Sequence, residues 1–242
     1  MKSNMIKTSV AGLILGVSSL VNVANAGLID LTNWTATSGG TWTVDSSGTS
    51  VLQTQNGQPT YFLSDTDYIN TKFDGTFGVE TAGDDDFIGF VFGYNNSDDF
   101  LLFDWKQSDQ NFSGMAYSGF TLSHITGSNV NFWDHSGSDL TVLASDYAGN
   151  NGWADNTVYN FTLDFTTTSI KIDIDNVTIF DVNGSFNTGK FGFYNYSQSY
   201  VRYTGFEETV SPSIPSTSVP EPSTLAIFAL GVIGLASRRL KK

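Results

Sequence analysis

Three consecutive carboxylates, Asp84-Asp85-Asp86, stand immediately before the apolar run Phe87-Ile88-Gly89-Phe90-Val91-Phe92. In an extended chain the first and third share a face, about 6.7 Å apart over two strand rises. Two unit charges at that spacing repel by roughly 2–3 kcal/mol at an effective dielectric near 20. A hard divalent cation removes that repulsion. With no cysteine and only two histidines in the sequence, Ca2+ is the natural candidate, its coordination completed by backbone carbonyls and polar groups of another loop. The same triplet also reads as a solvated acidic turn, and residue types alone leave the two readings open. A second group, Asn95, Asn96, Asp98 and Asp99, carries the same ligand types, although a hairpin loop explains it more simply. Neither group follows the spacing of an EF-hand loop.

Other chemistry finds little support. A glycosidase needs two carboxyl groups at a set separation, and the E-x-D-x-(x)-E strand pattern is missing. Only four glutamates occur, and three of them (Glu207, Glu208, Glu221) crowd toward the C-terminal end. His124 and His135 have no G-x-S-x-G partner motif and read as structural hydrogen-bonding groups. The absence of cysteine excludes disulfides, thiolate nucleophiles and zinc–thiolate sites. The chain therefore reads as non-enzymatic. Trp34, Trp42, Trp105, Trp133 and Trp153, with Tyr117 and Tyr147, could stack on sugars, but large aromatics in a β fold mostly pack the core or rim.

The elements that hold these residues are strands. Apolar residues recur with period 2 through Phe73–Thr81, Val158–Phe165 and Ile170–Ile174. Phe87–Tyr94 and Phe100–Trp105 are dense apolar runs, the pattern of strands buried between two layers. Asp175-Asn176 predicts a hairpin turn into Val177–Val182. Gly, Asn, Ser and Asp clusters at 95–99, 136–139 and 149–152 punctuate the runs. Many antiparallel strands without a linker or repeat predict an all-β, two-sheet jelly-roll sandwich across residues 27–208.

Both ends read as addresses. Lys2 and Lys7, the apolar Val10–Val23 and Ala24-Asn25-Ala26 form a secretory signal peptide over residues 1–26, cut by signal peptidase before Gly27. Residues 209–218 read as a Ser/Pro linker. Residues 219–242 contain Val219-Pro220-Glu221-Pro222, an uncharged stretch Leu225–Ala236, and Arg238, Arg239, Lys241 and Lys242. As a helix those twelve residues rise about 18 Å, short of a roughly 30 Å hydrocarbon core. This tail resembles the PEP-CTERM sorting signal of Gram-negative bacteria. The resemblance implies exosortase as a processing partner, a transient membrane contact through a C-terminal transmembrane helix, and delivery to the cell surface or an exopolysaccharide matrix.

All 24 acids lie between these terminal cations, with only Lys72, Lys106, Lys171, Lys190 and Arg202 against them, so this middle carries 5 − 24 = −19. Such a body repels nucleic acid, whose phosphates demand basic residues. It is at ease where cations can bind it.

Asp84-Asp85-Asp86-Phe87-Ile88-Gly89-Phe90-Val91-Phe92-Gly93-Tyr94, followed by Phe100-Leu101-Leu102-Phe103-Asp104-Trp105-Lys106-Gln107, resembles the C-terminal lectin-like domain of thrombospondins. Asn33-Trp34, Phe73-Asp74-Gly75-Thr76-Phe77, Trp133 with His135, Gly152-Trp153 with Asp155, and Gly189-Lys190-Phe191-Gly192 running on to Ser197-Gln198 fall in matching order. The resemblance implies a concanavalin-like (L-type lectin-like) sandwich that binds calcium and serves adhesion or matrix contacts, with polysaccharide or a surface protein as partner. It favours the calcium reading of Asp84, Asp85 and Asp86; Asn95, Asp98 and Asp99 stand beside them as metal candidates on their ligand types alone. The D-x-D-x-D-G repeats and the cysteines of thrombospondins are missing here, so receptor partners do not carry over. A carbohydrate-active enzyme and a passive matrix protein are the alternative functions.

Overall fold

The computed structural model of the chain describes residues 27–149 and 151–210; the expected signal peptide, most of the expected linker and the expected sorting tail lie outside them. The first strands are β1 (Gly27–Leu28), β2 (Thr35–Ala36), β3 (Trp42–Val44), β4 (Ser50–Gln53), β5 (Thr60–Tyr68) and β6 (Thr71–Val79). There follow β7 (Phe87–Asn96), β8 (Asp99–Lys106), β9 (Gln110–Asn111), β10 (Met115–Ala116), β11 (Gly119–Ile125) and β12 (Leu140–Asp146). Last come β13 (Val158–Phe165), β14 (Ser169–Ile174), β15 (Val177–Asn183), β16 (Gly189–Tyr196) and β17 (Val201–Val210). A single 3-10 turn, Leu31–Asn33, is the only helical element among the described residues.

β9 and β10 pair apart as a two-stranded ribbon, and two large sheets hold the other described strands. One runs β3-β4-β17-β6-β13-β14-β15, with β1 also on β17; the other runs β2-β5-β16-β7-β8-β11-β12. All pairings are antiparallel. Alternation along each strand sends one set of side chains inward. Phe73, Phe77, Phe161, Leu163, Phe165, Ile170 and Ile172 face Ile88, Phe90, Phe92, Leu101, Phe103, Trp105, Phe191 and Phe193 in one core. Each such side chain contributes about 1.5–3 kcal/mol on burial, which is how a cysteine-free sandwich of this size closes.

The dense runs of β7 and β8 have a further cause. Their outward residues Phe87, Val91, Phe100 and Leu102 form a second cluster with Tyr61, Leu63 and Tyr194, covered by Ala116, Trp133 and Leu140 and flanked by Val130 and Phe132. The connection between β8 and β12 thus roofs the outer face of the second sheet. Both faces of its central strands are dry, so the sequence there shows no polar alternation.

The β7–β8 hairpin sets the register that matters most. Phe87 pairs with Lys106 and Phe92 with Leu101, and the register then shifts so that Asn96 pairs with Asp99. Gly93, at φ +56°, lies within that irregularity in the left-handed region that glycine adopts freely. Farther along, a Cβ on Gly89 would lie 2.0 Å from the Phe103 carbonyl oxygen, so only glycine permits this approach of the two strands. Together these features bring the segment just before β7 against the C-terminal end of β8.

Candidate metal centre

Asp84-Asp85-Asp86 enters β7 as an irregular segment latched by its backbone. The Asp86 N–H donates to Gln198 Oε1 at 3.0 Å, and the Asp86 carbonyl accepts from Trp153 Nε1 at 3.0 Å. The Asp85 carbonyl accepts from the Gln107 N–H at 3.2 Å and from Lys106 Nζ at 3.1 Å. Three loops therefore hold one tripeptide. Its side chains converge: Asp84, Asp85 and Asp86 each offer an oxygen within 4.8 Å of the others. Asn56 Nδ2 donates to Asp84 Oδ2, and Ser108 Oγ donates to Asp85 Oδ2.

Lys106 changes the electrostatics of the cluster. Its side chain is 1% exposed, and Nζ lies 2.8 Å from Asp86 Oδ1 and 3.6 Å from Asp85 Oδ1. It also donates to Gln110 Oε1 at 3.1 Å, and it sits over the rings of Phe87 (5.2 Å) and Trp133 (4.9 Å). Three carboxylates against one ammonium leave 3 − 1 = 2 uncompensated negative charges, the amount a divalent cation neutralises. Burial and the neighbouring Asp86 carboxylate push the Asp84 carboxyl up to about 6. The donors within reach are hard oxygens, namely the carboxylates, the Ser108 hydroxyl and the Gln110 amide oxygen, which suits Ca2+ rather than a thiophilic ion. The residues present therefore fit calcium, with Asp84 and Asp85 as the open carboxylates and Asp86 shared with Lys106.

Asn95, Asp98 and Asp99 lie at the opposite end of β7, nine strand rises or roughly 30 Å from Asp86. There Asn95 Nδ2 donates to Asp99 Oδ2 at 3.0 Å and the Asp98 N–H to Asn96 Oδ1 at 2.9 Å, and His124 Nε2 stands 3.8 Å from Asp99 Oδ1. The structure thus does not join this group to the triplet; its polar atoms tie up the β7–β8 turn. His135 is drawn into a hydrogen bond too, with Nε2 at 2.8 and 3.0 Å from the two oxygens of the buried Asp104. Trp34, Trp105, Trp133 and Trp153 are buried, and Trp42 is half-buried, donating to Thr60 Oγ1 at 3.1 Å. Tyr117 and Tyr147 remain on the surface with their rings 5.5 Å apart. Sequence reasoning gave Lys106, Gln198, Asn56 and Ser108 no role at the triplet. Lys106 and Gln198 did leave a signal, since both stand in the stretches that carry the thrombospondin resemblance.

Residues 37–210 match the thrombospondin C-terminal region, and residues 218–241 match the PEP-CTERM protein-sorting motif. The chain is 28% identical over 201 residues to thrombospondin-3b of Danio rerio, covering 72% of this chain and 21% of that protein. It is 34% identical over 137 residues to cartilage oligomeric matrix protein of Rattus norvegicus, covering 50% of this chain and 18% of that one. It therefore spans about a fifth of the length of these relatives. Among solved structures, the carbohydrate binding module CBM66 from Bacillus subtilis superposes with a TM-score of 0.54 at 13% identity, covering 73% of this chain and 94% of that module. The Ca2+/Man3GlcNAc-bound exoplasmic/lumenal domain of VIP36 gives 0.51 at 11% identity, covering 77% of this chain and 88% of that domain. Both share the two-sheet sandwich fold with this chain. No helix among the described residues is long and apolar enough to cross a membrane.

Proposed function

The chain belongs to the thrombospondin C-terminal family, and on that premise we propose that it is an exported, calcium-dependent, non-catalytic lectin-like binding module. Residues 1–26 serve as the signal peptide, residues 27–208 form the binding domain, residues 209–218 are the linker and residues 219–242 are the sorting signal. Signal peptidase and exosortase process the two ends, the C-terminal segment touches the membrane transiently, and the domain is displayed at the Gram-negative cell surface or in exopolysaccharide. There it contacts polysaccharide or a surface protein.

The observation that carries this reading is the convergence of Asp84, Asp85 and Asp86 on one point against a single ammonium. Calcium bound there would fix the loops that meet the triplet, those of Asn56, Ser108 and Gln198. Asn95, Asp98 and Asp99 are a weaker second metal candidate, since hydrogen bonds within their own turn already use them. The non-catalytic reading is supported by the two buried carboxylates, each committed to a partner: Asp86 to Lys106 and Asp104 to His135. Neither stands free as an acid or base. Thermal melting of the full chain in calcium and in chelator tests the proposal. The midpoint should fall in chelator and recover with added Ca2+ but not with Mg2+, which demands near-ideal octahedral geometry and dehydrates reluctantly. An unchanged midpoint would overturn the calcium role.

A further inference from the structure

A groove of about 710 Å3 opens on the outer face of the second sheet, between the turn before β5, the β7–β8 turn and the segment 127–132. Its walls carry three aromatic rings, Tyr61, Phe132 and Tyr196, beside the polar Gln58, Asp98 and Ser128. The rings belong to one aromatic layer. Tyr61 meets Phe100 at 5.5 Å and Phe132 meets Phe100 at 6.4 Å, while Tyr196 stacks on Phe87 at 5.8 Å with planes 11° apart. Tyr61 is buried, whereas Phe132 and Tyr196 are half-buried, so these two present ring surface to the groove and their packing fixes them before any ligand arrives. Asn131, also in the wall, is already spent: it donates to the Ser113 carbonyl at 2.7 Å and accepts from the Trp133 N–H at 3.0 Å. Gln58 and Ser128 have no side-chain hydrogen bond among the described residues, and Asp98 accepts only from Ser97 Oγ at 3.3 Å.

We infer that this groove binds a segment of uncharged polysaccharide. Rigid aromatic faces beside free amide, hydroxyl and carboxylate groups match the two sides of a pyranose, its apolar C–H face and its hydroxyl rim. Charge narrows the class. No lysine or arginine lines the groove, and the body around it carries −19. A uronate or sulfate would enter without a cationic partner and against the protein's own field. The groove is also wired to the candidate metal centre. Trp133 touches Tyr196 at 5.8 Å and Phe87 at 5.6 Å on one side, and lies under Lys106 at 4.9 Å on the other. Order at Asp84–Asp86 therefore steadies Trp133 and, through it, the wall residue Tyr196.

The inference rests on the lectin-like reading above, and the test separates the two. The full chain is titrated in calcium with the neutral polysaccharides laminarin, pullulan, dextran, mannan and levan, and with the anionic alginate and heparin. At least one neutral polymer should bind and both anionic ones should not. Gln58 and Ser128 are exposed and hold no other element in place, so Gln58→Ala and Ser128→Ala should keep the wild-type melting point. Combined, they should weaken binding about tenfold or more, a loss of roughly 1.4 kcal/mol. Phe132→Ala should weaken it further. Neutral binding that all three substitutions leave intact would move the site elsewhere and overturn this inference while sparing the lectin-like reading. Preference for the anionic polymers would overturn the ligand class. Silence across the whole panel would overturn both the groove and the polysaccharide partner.

Discussion

At the residue scale, Lys106 and Asp84 decide how the triplet behaves. Removing the Lys106 ammonium leaves Asp86, itself 3% exposed, as an uncompensated buried carboxylate, a change that costs about 3–5 kcal/mol. Lys106→Met should therefore lower unfolding free energy by that order in urea titrations without calcium. Added calcium should narrow the deficit, because the ion supplies the positive charge that the variant lacks. Asp84 gives a pH signature. Its carboxyl is raised from 3.8 to about 6 by burial and by Asp86, so the folded state favours the protonated form. The penalty for ionising it inside the fold grows as pH rises from 3.8 to about 6 and is complete above that. Calcium needs the ionised form, and protons compete with it across that window. Calorimetric calcium affinity should fall from pH 7.5 to pH 5. Asp84→Asn should lower affinity at pH 7.5 and flatten the profile; an unaltered profile would place the ion away from Asp84.

At the scale of elements, the β7–β8 hairpin is the part on which the site depends most. Gly89→Ala would drive a methyl group into the Phe103 backbone, and backbone cannot swing aside as a flexible side chain can. Destabilisation of about 1–3 kcal/mol is expected from such overpacking, together with weaker calcium binding, since Lys106 and Asp86 meet only through this pairing. A variant that lost stability yet kept full calcium affinity would show that the triplet is organised without the hairpin. The individual strands were legible because period 2 is a local signal: Val158–Phe165 is a strand over the residues that alternate, and Asp175 and Asn176 both take positive φ in the predicted turn. The triplet was legible because three adjacent carboxylates need no tertiary knowledge to be noticed. Lys106 as its counter-charge was not, since the pairing depends on a register shift near Gly93 that places position 106 beside position 87. The roof over the outer face was hidden for the same reason. The segment 126–139 alternates with no clear period, and its apolar Val130, Phe132 and Trp133 find burial only against a sheet that exists after folding.

At the scale of the whole molecule, two different effects could make calcium stabilising, and salt separates them. A body of −19 repels itself, and any cation atmosphere relieves that strain. Sodium does this as well as calcium once it is concentrated enough, because the screening length shrinks from about 8 Å at 0.15 M to about 3 Å at 1 M. Coordination at Asp84–Asp86 is different in kind. The oxygens there lie within 4.8 Å of one another and are partly or fully shielded from solvent, so bulk screening scarcely reaches them, and a monovalent ion cannot cancel the two uncompensated charges. In chelator, the melting point should climb as sodium chloride rises from 0.05 M to 1 M. The further increment from calcium should shrink over that range but survive at 1 M, and Asp84→Asn should abolish the surviving part alone. If the increment vanished at 1 M in the unaltered chain, calcium would be acting as a diffuse counter-ion. Stability outside the cell would then come from the aromatic core, with the triplet a solvated turn at its edge.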